Sequence, residues 1–344
     1  MATIWGIHND TLGSELLEQG FVAIGWPEMH DLKTIPHDRP LMKDAVSHAY
    51  PGAKPGAIPV WAGILLRFAY DIQVGDLVIA PNKADSTLSF GRVAGDYEYH
   101  QDAGTMPHRR QVTWLRKGVA RSLFSQAALY EIGSALTLFQ VRKHADEFHR
   151  FLSTDEAVFA ARPVAGAASA DEASVETAVS EDPNAERIHQ FTRDFIADTL
   201  LKGMSHEEFE HFTADLLRCM GYQARVTPYV ADGGVDVIAH KDPLGLEPPI
   251  IKVQCKHTAA TQSRPEVQRL IGTLATNEVG LFVTLGTYSK DAFDLERERQ
   301  SLRLFTGADL TDLVLKHYEA LPSRWRALIP LRPVLVVDRD PQAG

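Results

Sequence analysis

Three polar residues in the second half of the chain have the types and spacing that metal-assisted hydrolysis needs: Asp236, Gln254 and Lys256. Asp236 follows an Asp-Gly-Gly turn within an otherwise apolar run, Val235–Ala239, where a carboxylate must find water, a partner or a metal. Along Ile250–Lys256, the period of two places Gln254 and Lys256 on one face of a strand. If the two strands are neighbours, the three side chains converge at one end of a sheet.

This set of side chains suits the hydrolysis of a phosphodiester bond. Asp236 and Gln254 would hold Mg²⁺, with Mn²⁺ as an alternative, because Mg²⁺ prefers oxygen ligands. The metal would polarise the phosphate and lower the pKa of a bound water, while Lys256 orients that water or stabilises the developing charge. Since Gln254 is neutral, a further carboxylate is needed. Glu210 can supply it from the edge of the apolar stripe on the predicted helix Ser205–Met220.

The elements that must position these residues follow one another as a helix pair, three strands and then alternating helices and strands. Ser205 with Glu208 and Ser263 with Glu266 have the spacing of capping boxes, and Gly221 suits a helix end. The predicted helices are Ala185–Leu201, Ser205–Met220, Ser263–Asn277, Ser289–Gln300 and Ala308–Tyr318. The predicted strands are Gln223–Thr227, Val235–Ala239, Ile250–Lys256, Gly280–Thr284 and Arg303–Phe305.

The first half of the chain is predicted to be a small β-rich domain, a partly open barrel with helices packed on it. Its predicted strands are Phe21–Ile24, Leu77–Ala80, Ser89–Val93 and Gln111–Leu115, and its predicted helices are Asp38–Ala49, Val60–Tyr70 and Ser122–Tyr130. The fold class is therefore α/β (α+β overall). The predicted domains are 1–155 for recognition, 156–184 as a flexible acidic linker, 185–320 for catalysis and 321–344 as a C-terminal tail.

Length, charge and cysteine content limit the classes of protein that fit. A chain of 344 residues favours two domains. The formal net charge of −10 divides into −2 for residues 1–155, −5 for the linker and −3 for residues 185–344. This predicts modest non-specific affinity for nucleic acid and a specific recognition element. Cys219 and Cys255 are too few for a disulfide framework or a zinc cluster, and without a signal-peptide pattern the protein is expected to be cytoplasmic.

A set of short motifs in the second half resembles the Mrr-type catalytic domain, a member of the PD-(D/E)xK nuclease superfamily that cuts modified DNA. The resemblance covers roughly 203–318 and implies a central mixed sheet flanked by helices. It also implies that Asp236 and Gln254 bind metal, that Lys256 is catalytic and that Glu210 assists. Gln254 stands where the superfamily usually has an acid, which leaves the number of metal ions open. The motifs are Phe209-Glu210, Gly221-Tyr222, Asp232–Asp236, Val253–Lys256 and Phe282–Thr284.

Motifs in the first half resemble PUA-like and EVE-like modules, small barrels that sense modified bases. They are Gly20–Trp26, Gly75–Ala80 and Phe90–Val93. The aromatic candidates for stacking on a base are Trp26, Tyr97 and Tyr99, whereas Trp5, Trp61 and Trp114 are more typical of core residues. The candidates for phosphate or DNA contact are Arg92, Arg109 and Arg110.

Together these observations predict a modification-dependent restriction endonuclease that acts on double-stranded DNA. A host-defence role follows from the resemblance alone, and cutting two strands with one site per chain favours a homodimer. One alternative is a repair or junction nuclease without dependence on modification. Another is a nucleic-acid-binding protein without activity, in which Gln-x-Lys is a solvated strand face and Asp-Gly-Gly only a turn. The presence of both Asp236 and Lys256 disfavours that alternative.

Overall fold

The computed structural model describes residues 2–9, 11–83, 85–134, 136–161, 185–227 and 234–336, which form two compact units. Unit 1 contains the described residues up to Gly118 together with Ala127–Ser153. Unit 2 contains Val119–Gln126 and the described residues from Thr154 onward. The Asp232-Gly233 part of the predicted turn and residues 162–184 of the predicted linker lie outside the described residues.

Unit 1 is built on a curled six-stranded sheet, which confirms the predicted β-rich architecture. Its strands are β1 (Ile4–Ile7), β2 (Phe21–Ile24), β3 (Leu77–Asn82), β4 (Thr87–Tyr99), β5 (His108–Ala120) and β6 (Leu138–Val141). Their order is β2-β5-β4-β3-β1-β6. The pairs β2–β5, β3–β4 and β1–β6 are antiparallel and β1–β3 is parallel. The short strands β1 and β6 were not predicted from the sequence.

Among the described residues, five helices accompany this sheet: α1 (Glu15–Gln19), α2 (Arg39–Ala49), α3 (Ala57–Leu66), α4 (Gln126–Ile132) and α5 (Ala145–Ser153). Helix α2 begins where the Asp38 side chain accepts a hydrogen bond from the Leu41 amide (2.9 Å), with Pro40 in the first turn. Helix α3 continues into a π-helical turn, Arg67–Asp71. Leu65, Phe68 and other apolar residues of this segment are buried, so the helix forms part of the core.

Unit 2 contains a five-stranded mixed sheet, as predicted. Its strands are β7 (Gln223–Val226), β8 (Val237–His240), β9 (Ile250–Lys256), β10 (Glu278–Thr284) and β11 (Leu302–Phe305). The order is β11-β10-β9-β8-β7. The pairs β7–β8 and β8–β9 are antiparallel, and β9, β10 and β11 are parallel. Strand β9 is therefore the central strand, with an antiparallel neighbour on one side and a parallel neighbour on the other.

Helices cover both faces of this sheet. The described helices of unit 2 are α6 (Glu156–Ala160), α7 (Ala185–Lys202), α8 (His206–Cys219), α9 (Arg264–Ile271), α10 (Lys290–Glu298), α11 (Gly307–His317) and α12 (Ser323–Leu328). Residues of α7, α8, α11 and α12 pack with Val237, Val253 and Cys255 in one apolar cluster. Residues of α9 and α10 pack with Phe282 in another. No described helix has the length and apolar character needed to span a bilayer.

The capping box at the start of α8 is present. The Glu208 amide donates to Ser205 Oγ (3.2 Å), and the Ser205 amide donates to the Glu208 carboxylate (2.7 Å). After α8, Gly221 takes a φ of 87°, which suits a residue without Cβ. The sequence thus predicted both ends of the helix that carries Glu210.

Two predicted segments outside the catalytic domain contain packed structure. Residues 321–344 were expected to be a tail, but Trp325 of α12 is buried, packs on Phe212 and donates from Nε1 to Asp215 (2.9 Å). A helix also forms at the start of the predicted linker, where the Glu156 carboxylate accepts a hydrogen bond from the Thr261 amide (2.8 Å). The buried side chains of Phe159 and Trp325 explain why these two segments pack, and the domain boundaries stay predictions.

Candidate active site and nucleic-acid interface

Asp236 lies beside the central strand of unit 2. Val237 is paired with Val253, so Asp236 stands opposite Gln254 in the antiparallel ladder. The Asp236 amide donates to the Val253 carbonyl (2.8 Å), and its Oδ2 accepts a hydrogen bond from the Cys255 amide (2.6 Å). These bonds fix the carboxylate against β9. Val235 precedes β8 and packs in a different apolar cluster from Val237.

Gln254 is buried, and its Oε1 has no hydrogen-bond partner among the described residues. A buried amide oxygen without a donor costs free energy unless water, a ligand or a cation satisfies it. Gly234 lies against the same side chain, since a Cβ there would stand 3.1 Å from Gln254 Nε2. Because Gly234 also has a φ of 87°, a larger residue would be strained and would crowd the amide.

Lys256 ends β9, two residues beyond Gln254 on the same strand face, and is half-buried. In the parallel pair with β10, Gln254 lies next to Phe282 and Lys256 next to Thr284. Thr284 Oγ1 donates to the Thr258 carbonyl (3.1 Å), so it supports the loop after β9. The register therefore brings Asp236, Gln254 and Lys256 to neighbouring positions at one end of the sheet.

Glu210 approaches from α8, the helix that packs on the Val253 and Cys255 side of the sheet. Its side chain is 12% exposed, and one carboxylate oxygen lies 3.2 Å from His206 Nε2. Burial raises the pKa of Glu210, and the negative charge of Asp236 raises it further. The two carboxylates are thus close enough to repel each other.

A divalent cation fits the chemistry of this donor set. Among the described residues, no group of three or more His, Cys, Asp and Glu side chains is placed to hold a metal. The candidate metal site differs from such a group, because it combines the carboxylates of Asp236 and Glu210 with the amide oxygen of Gln254. All three are hard oxygen donors of the sort that Mg²⁺ accepts. A cation would satisfy the Gln254 oxygen, which lacks a partner in the part of the chain that the structure describes, and would offset the repulsion between the carboxylates.

Comparison with known families identifies this part of the chain. Residues 201–314, which include all four candidate residues, match the family model Mrr_cat, described as a restriction endonuclease. The C-terminal part is an Mrr-type restriction endonuclease domain. Residues 2–138 match a family described as a domain of unknown function, DUF8426. The search of curated proteins found no match.

Two solved structures are similar to this chain. One is the MspJI restriction endonuclease in complex with a 27-mer oligonucleotide, which is 16% identical in sequence. The match covers 78% of this chain and 67% of that chain, with a TM-score of 0.34. The other is the DNA modification-dependent restriction endonuclease AspBHI, 17% identical, covering 74% and 67% of the two chains with a TM-score of 0.34.

Two histidines next to the candidate site of the Mrr-type domain were not singled out by the sequence as members of it. His206 lies one helical turn before Glu210, so the i, i+4 spacing on a capped helix was the available signal. His257 follows Lys256, stacks on Phe209 at 5.1 Å and donates from Nε2 to the Leu200 carbonyl (2.8 Å). Burial lowers the pKa of His257, which favours the neutral ring. His257 therefore joins α7 to the end of β9.

Gln254→Glu in the Mrr-type domain is expected to raise the affinity for Mg²⁺ about tenfold, because affinity follows the number of charged ligands. Isothermal titration with Mg²⁺ in the absence of DNA measures the change. Gln223→Glu on β7 is the matched control, since that side chain is exposed and the substitution adds the same charge. Equal affinities for the two variants would place Gln254 outside the metal site.

The structure corrects two of the predicted DNA-binding residues of unit 1. Arg110 is buried, and its guanidinium donates to the carbonyls of Phe68 (2.8 Å) and Ala69 (3.1 Å) in the π-helical turn. Tyr97 is also buried, and its hydroxyl accepts a hydrogen bond from the Leu32 amide (3.0 Å). Neither side chain is available to DNA. Alternation along the strands was the missed signal, because Arg110 shares its face of β5 with the buried Val112.

The other four predicted residues of unit 1 remain at least partly accessible. Trp26 and Tyr99 are half-buried. Arg92 is exposed and donates to the Gly75 carbonyl (3.0 Å), while the half-buried Arg109 lies over the Phe21 ring at 4.3 Å. Their contacts with DNA stay predictions.

Proposed function

We propose that this protein is a modification-dependent DNA endonuclease that hydrolyses phosphodiester bonds with Mg²⁺ and serves in host defence. The observation that carries the catalytic part is the buried oxygen of Gln254, which has no partner among the described residues and lies beside Asp236 and Lys256 within an Mrr-type restriction endonuclease domain. Its substrate would be double-stranded DNA with modified bases in the cytoplasm. Since the described residues of one chain form one such site, cutting both strands favours two copies acting together.

The residues of the site have separable tasks in this proposal. Asp236, Gln254 and Glu210 would hold the cation. When bound, Mg²⁺ supplies Lewis acidity at the phosphate and lowers the pKa of a coordinated water. Lys256 donates hydrogen bonds towards the scissile phosphate, where its positive charge offsets the negative charge that develops. The backbone amide of Cys255 holds Asp236 in place through Oδ2.

The dependence on modification is assigned to unit 1. Residues 185–344 carry a net charge of −3, so this part of the chain has little general attraction for DNA. Recognition therefore has to come from specific contacts, and the half-buried Trp26 and Tyr99 offer flat surfaces for a base taken out of the helix.

The test is cleavage of matched duplexes that contain cytosine, 5-methylcytosine or 5-hydroxymethylcytosine, with Mg²⁺ and with EDTA. Cleavage of a modified duplex at least about tenfold faster than the unmodified one, only with Mg²⁺, would support the proposal. Equal rates on all duplexes would reject the dependence on modification and favour a repair or junction nuclease. Binding without cleavage of any duplex would favour the inactive binding protein.

A further inference from the structure

The turn that carries Trp26 is held in a strained backbone conformation. Trp26 has a φ of 66°, in the left-handed region that bulky residues rarely adopt. Its carbonyl oxygen accepts hydrogen bonds from the Met29 amide (3.0 Å) and from His108 Nε2 (3.2 Å). Strain of this kind persists only where the surroundings over-determine it, and it concentrates at functional sites. The groups that hydrogen-bond to the Trp26 carbonyl therefore help to hold Trp26 in this conformation.

The hydrogen bonds of His108 define its protonation state. Because a carbonyl can only accept, the contact with the Trp26 carbonyl requires the proton on Nε2. Nδ1 then accepts from the Tyr97 hydroxyl (2.8 Å), whose oxygen in turn accepts from the Leu32 amide (3.0 Å). His108 is fully buried, and burial lowers its pKa to about 4, so the ring is neutral at neutral pH. The network is complete, with each group as donor or acceptor to the next.

The indole of Trp26 belongs to a group of three aromatic rings. It stands edge to face with Trp61, with ring centroids 6.1 Å apart at 69°. Tyr50 meets Trp61 in the same way at 5.5 Å and 79°, and its hydroxyl accepts a hydrogen bond from the Glu28 amide in the Trp26 turn (3.1 Å). Trp26 and Trp61 are both half-buried. Flat rings at fixed angles with accessible surface are suited to stacking on a nucleic-acid base.

We propose that His108 and Tyr97 are positioning residues for base recognition: they hold the Trp26 backbone so that its indole, together with Trp61, forms the stacking surface for an extrahelical base. This inference rests on the proposed base-recognition role of unit 1. His108 does not contact the base and acts through the Trp26 carbonyl. Replacing both of its hydrogen bonds by apolar contact would release the strained turn and move the indole.

The positioning role is tested first in the free full-length protein by near-ultraviolet circular dichroism. The part of the near-ultraviolet spectrum that Trp26→Phe removes is the contribution of the Trp26–Trp61 pair. His108→Leu, which removes both side-chain bonds, is expected to lose that signal. His108→Gln, which keeps an N–H donor for the Trp26 carbonyl, is expected to retain it. His100→Leu is the matched control, because that side chain is 41% exposed. If the spectrum of His108→Leu were the same as that of the parent protein, the proposal would be overturned.

The consequence for recognition is tested by binding in an Asp236→Asn background, with duplexes that contain cytosine, 5-methylcytosine or 5-hydroxymethylcytosine. Trp26→Ala and His108→Leu are each expected to lower the preference for the modified duplex about tenfold, with His108→Gln close to the parent. If Trp26→Ala lowers the preference and His108→Leu does not, the positioning role is overturned while base recognition stands. If Trp26→Ala keeps the parental preference, or the parent shows none, the base-recognition role of Trp26 itself is overturned.

Discussion

Asp236→Asn is expected to lower the rate of Mg²⁺-dependent DNA cleavage by about a thousandfold or more. The substitution keeps the size of the side chain and an oxygen that can accept the Cys255 amide, but it removes the charge that a hard cation requires. Stabilisation of the transition state by a metal is worth several kcal/mol, and about 1.4 kcal/mol corresponds to a tenfold change in rate. Single-turnover cleavage of a duplex that the parent cuts measures the effect.

The matched control for this substitution is Asp291→Asn in the first turn of α10, which removes the same charge from an exposed position. It is expected to cleave at the parental rate. DNA binding and thermal melting should be close to parental for both variants, which separates lost chemistry from lost folding. Cleavage by Asp236→Asn within tenfold of the parent would remove Asp236 from the catalytic set.

Asp194→Ala is expected to destabilise unit 2 by about 3–5 kcal/mol, a large part of the stability of an ordinary domain. Asp194 on α7 accepts two hydrogen bonds from the Arg121 guanidinium, at 2.8 and 2.6 Å, and a third from Gln190 at 3.0 Å. Both charged side chains are 8% exposed. The substitution leaves the Arg121 charge buried without its partner. Denaturation in urea, followed by circular dichroism, measures the change in the free energy of unfolding.

A second ion pair of α7 provides the control. Arg193 lies 2.9 Å from Asp312, whose side chain is 54% exposed. The Arg193 side chain is 13% exposed, and it also donates to the Ala308 carbonyl (3.4 Å), so it keeps a partner when Asp312 is removed. Asp312→Ala is therefore expected to cost less than Asp194→Ala, because water screens the charge of the exposed Asp312. The double substitution Arg121→Met with Asp194→Leu should recover most of the lost stability, since it removes the buried charge altogether. Equal destabilisation by Asp194→Ala and Asp312→Ala would contradict the special role of the buried pair.

Strand β9 shows why part of the candidate site was predictable. The period of two along β9 depends on local geometry alone, so it correctly placed Gln254 and Lys256 on one face and Val253 with Cys255 on the other. The capping box at Ser205 likewise defined the start of the helix that carries Glu210. Both signals involve residues that are close in sequence.

The candidate base-recognition site was less predictable, because residue type does not determine burial. Arg110 and Tyr97 have side chains that often contact nucleic acid, yet both are buried here. Arg110 is tolerated in the core because it bonds to carbonyls more than forty residues away along the chain. No sequence pattern indicates such a partner.

By itself, the sequence determined the order of the elements and the face of β9 that carries its polar residues. These follow from local periodicity, caps and turns. Only the tertiary structure decided which polar side chains are buried and what they bond. It joined Arg121 to Asp194 and His108 to the Trp26 carbonyl, partners 73 and 82 positions apart. The physical reason is that burial and hydrogen-bond partners depend on how distant segments pack, whereas strand and helix periods depend on neighbours.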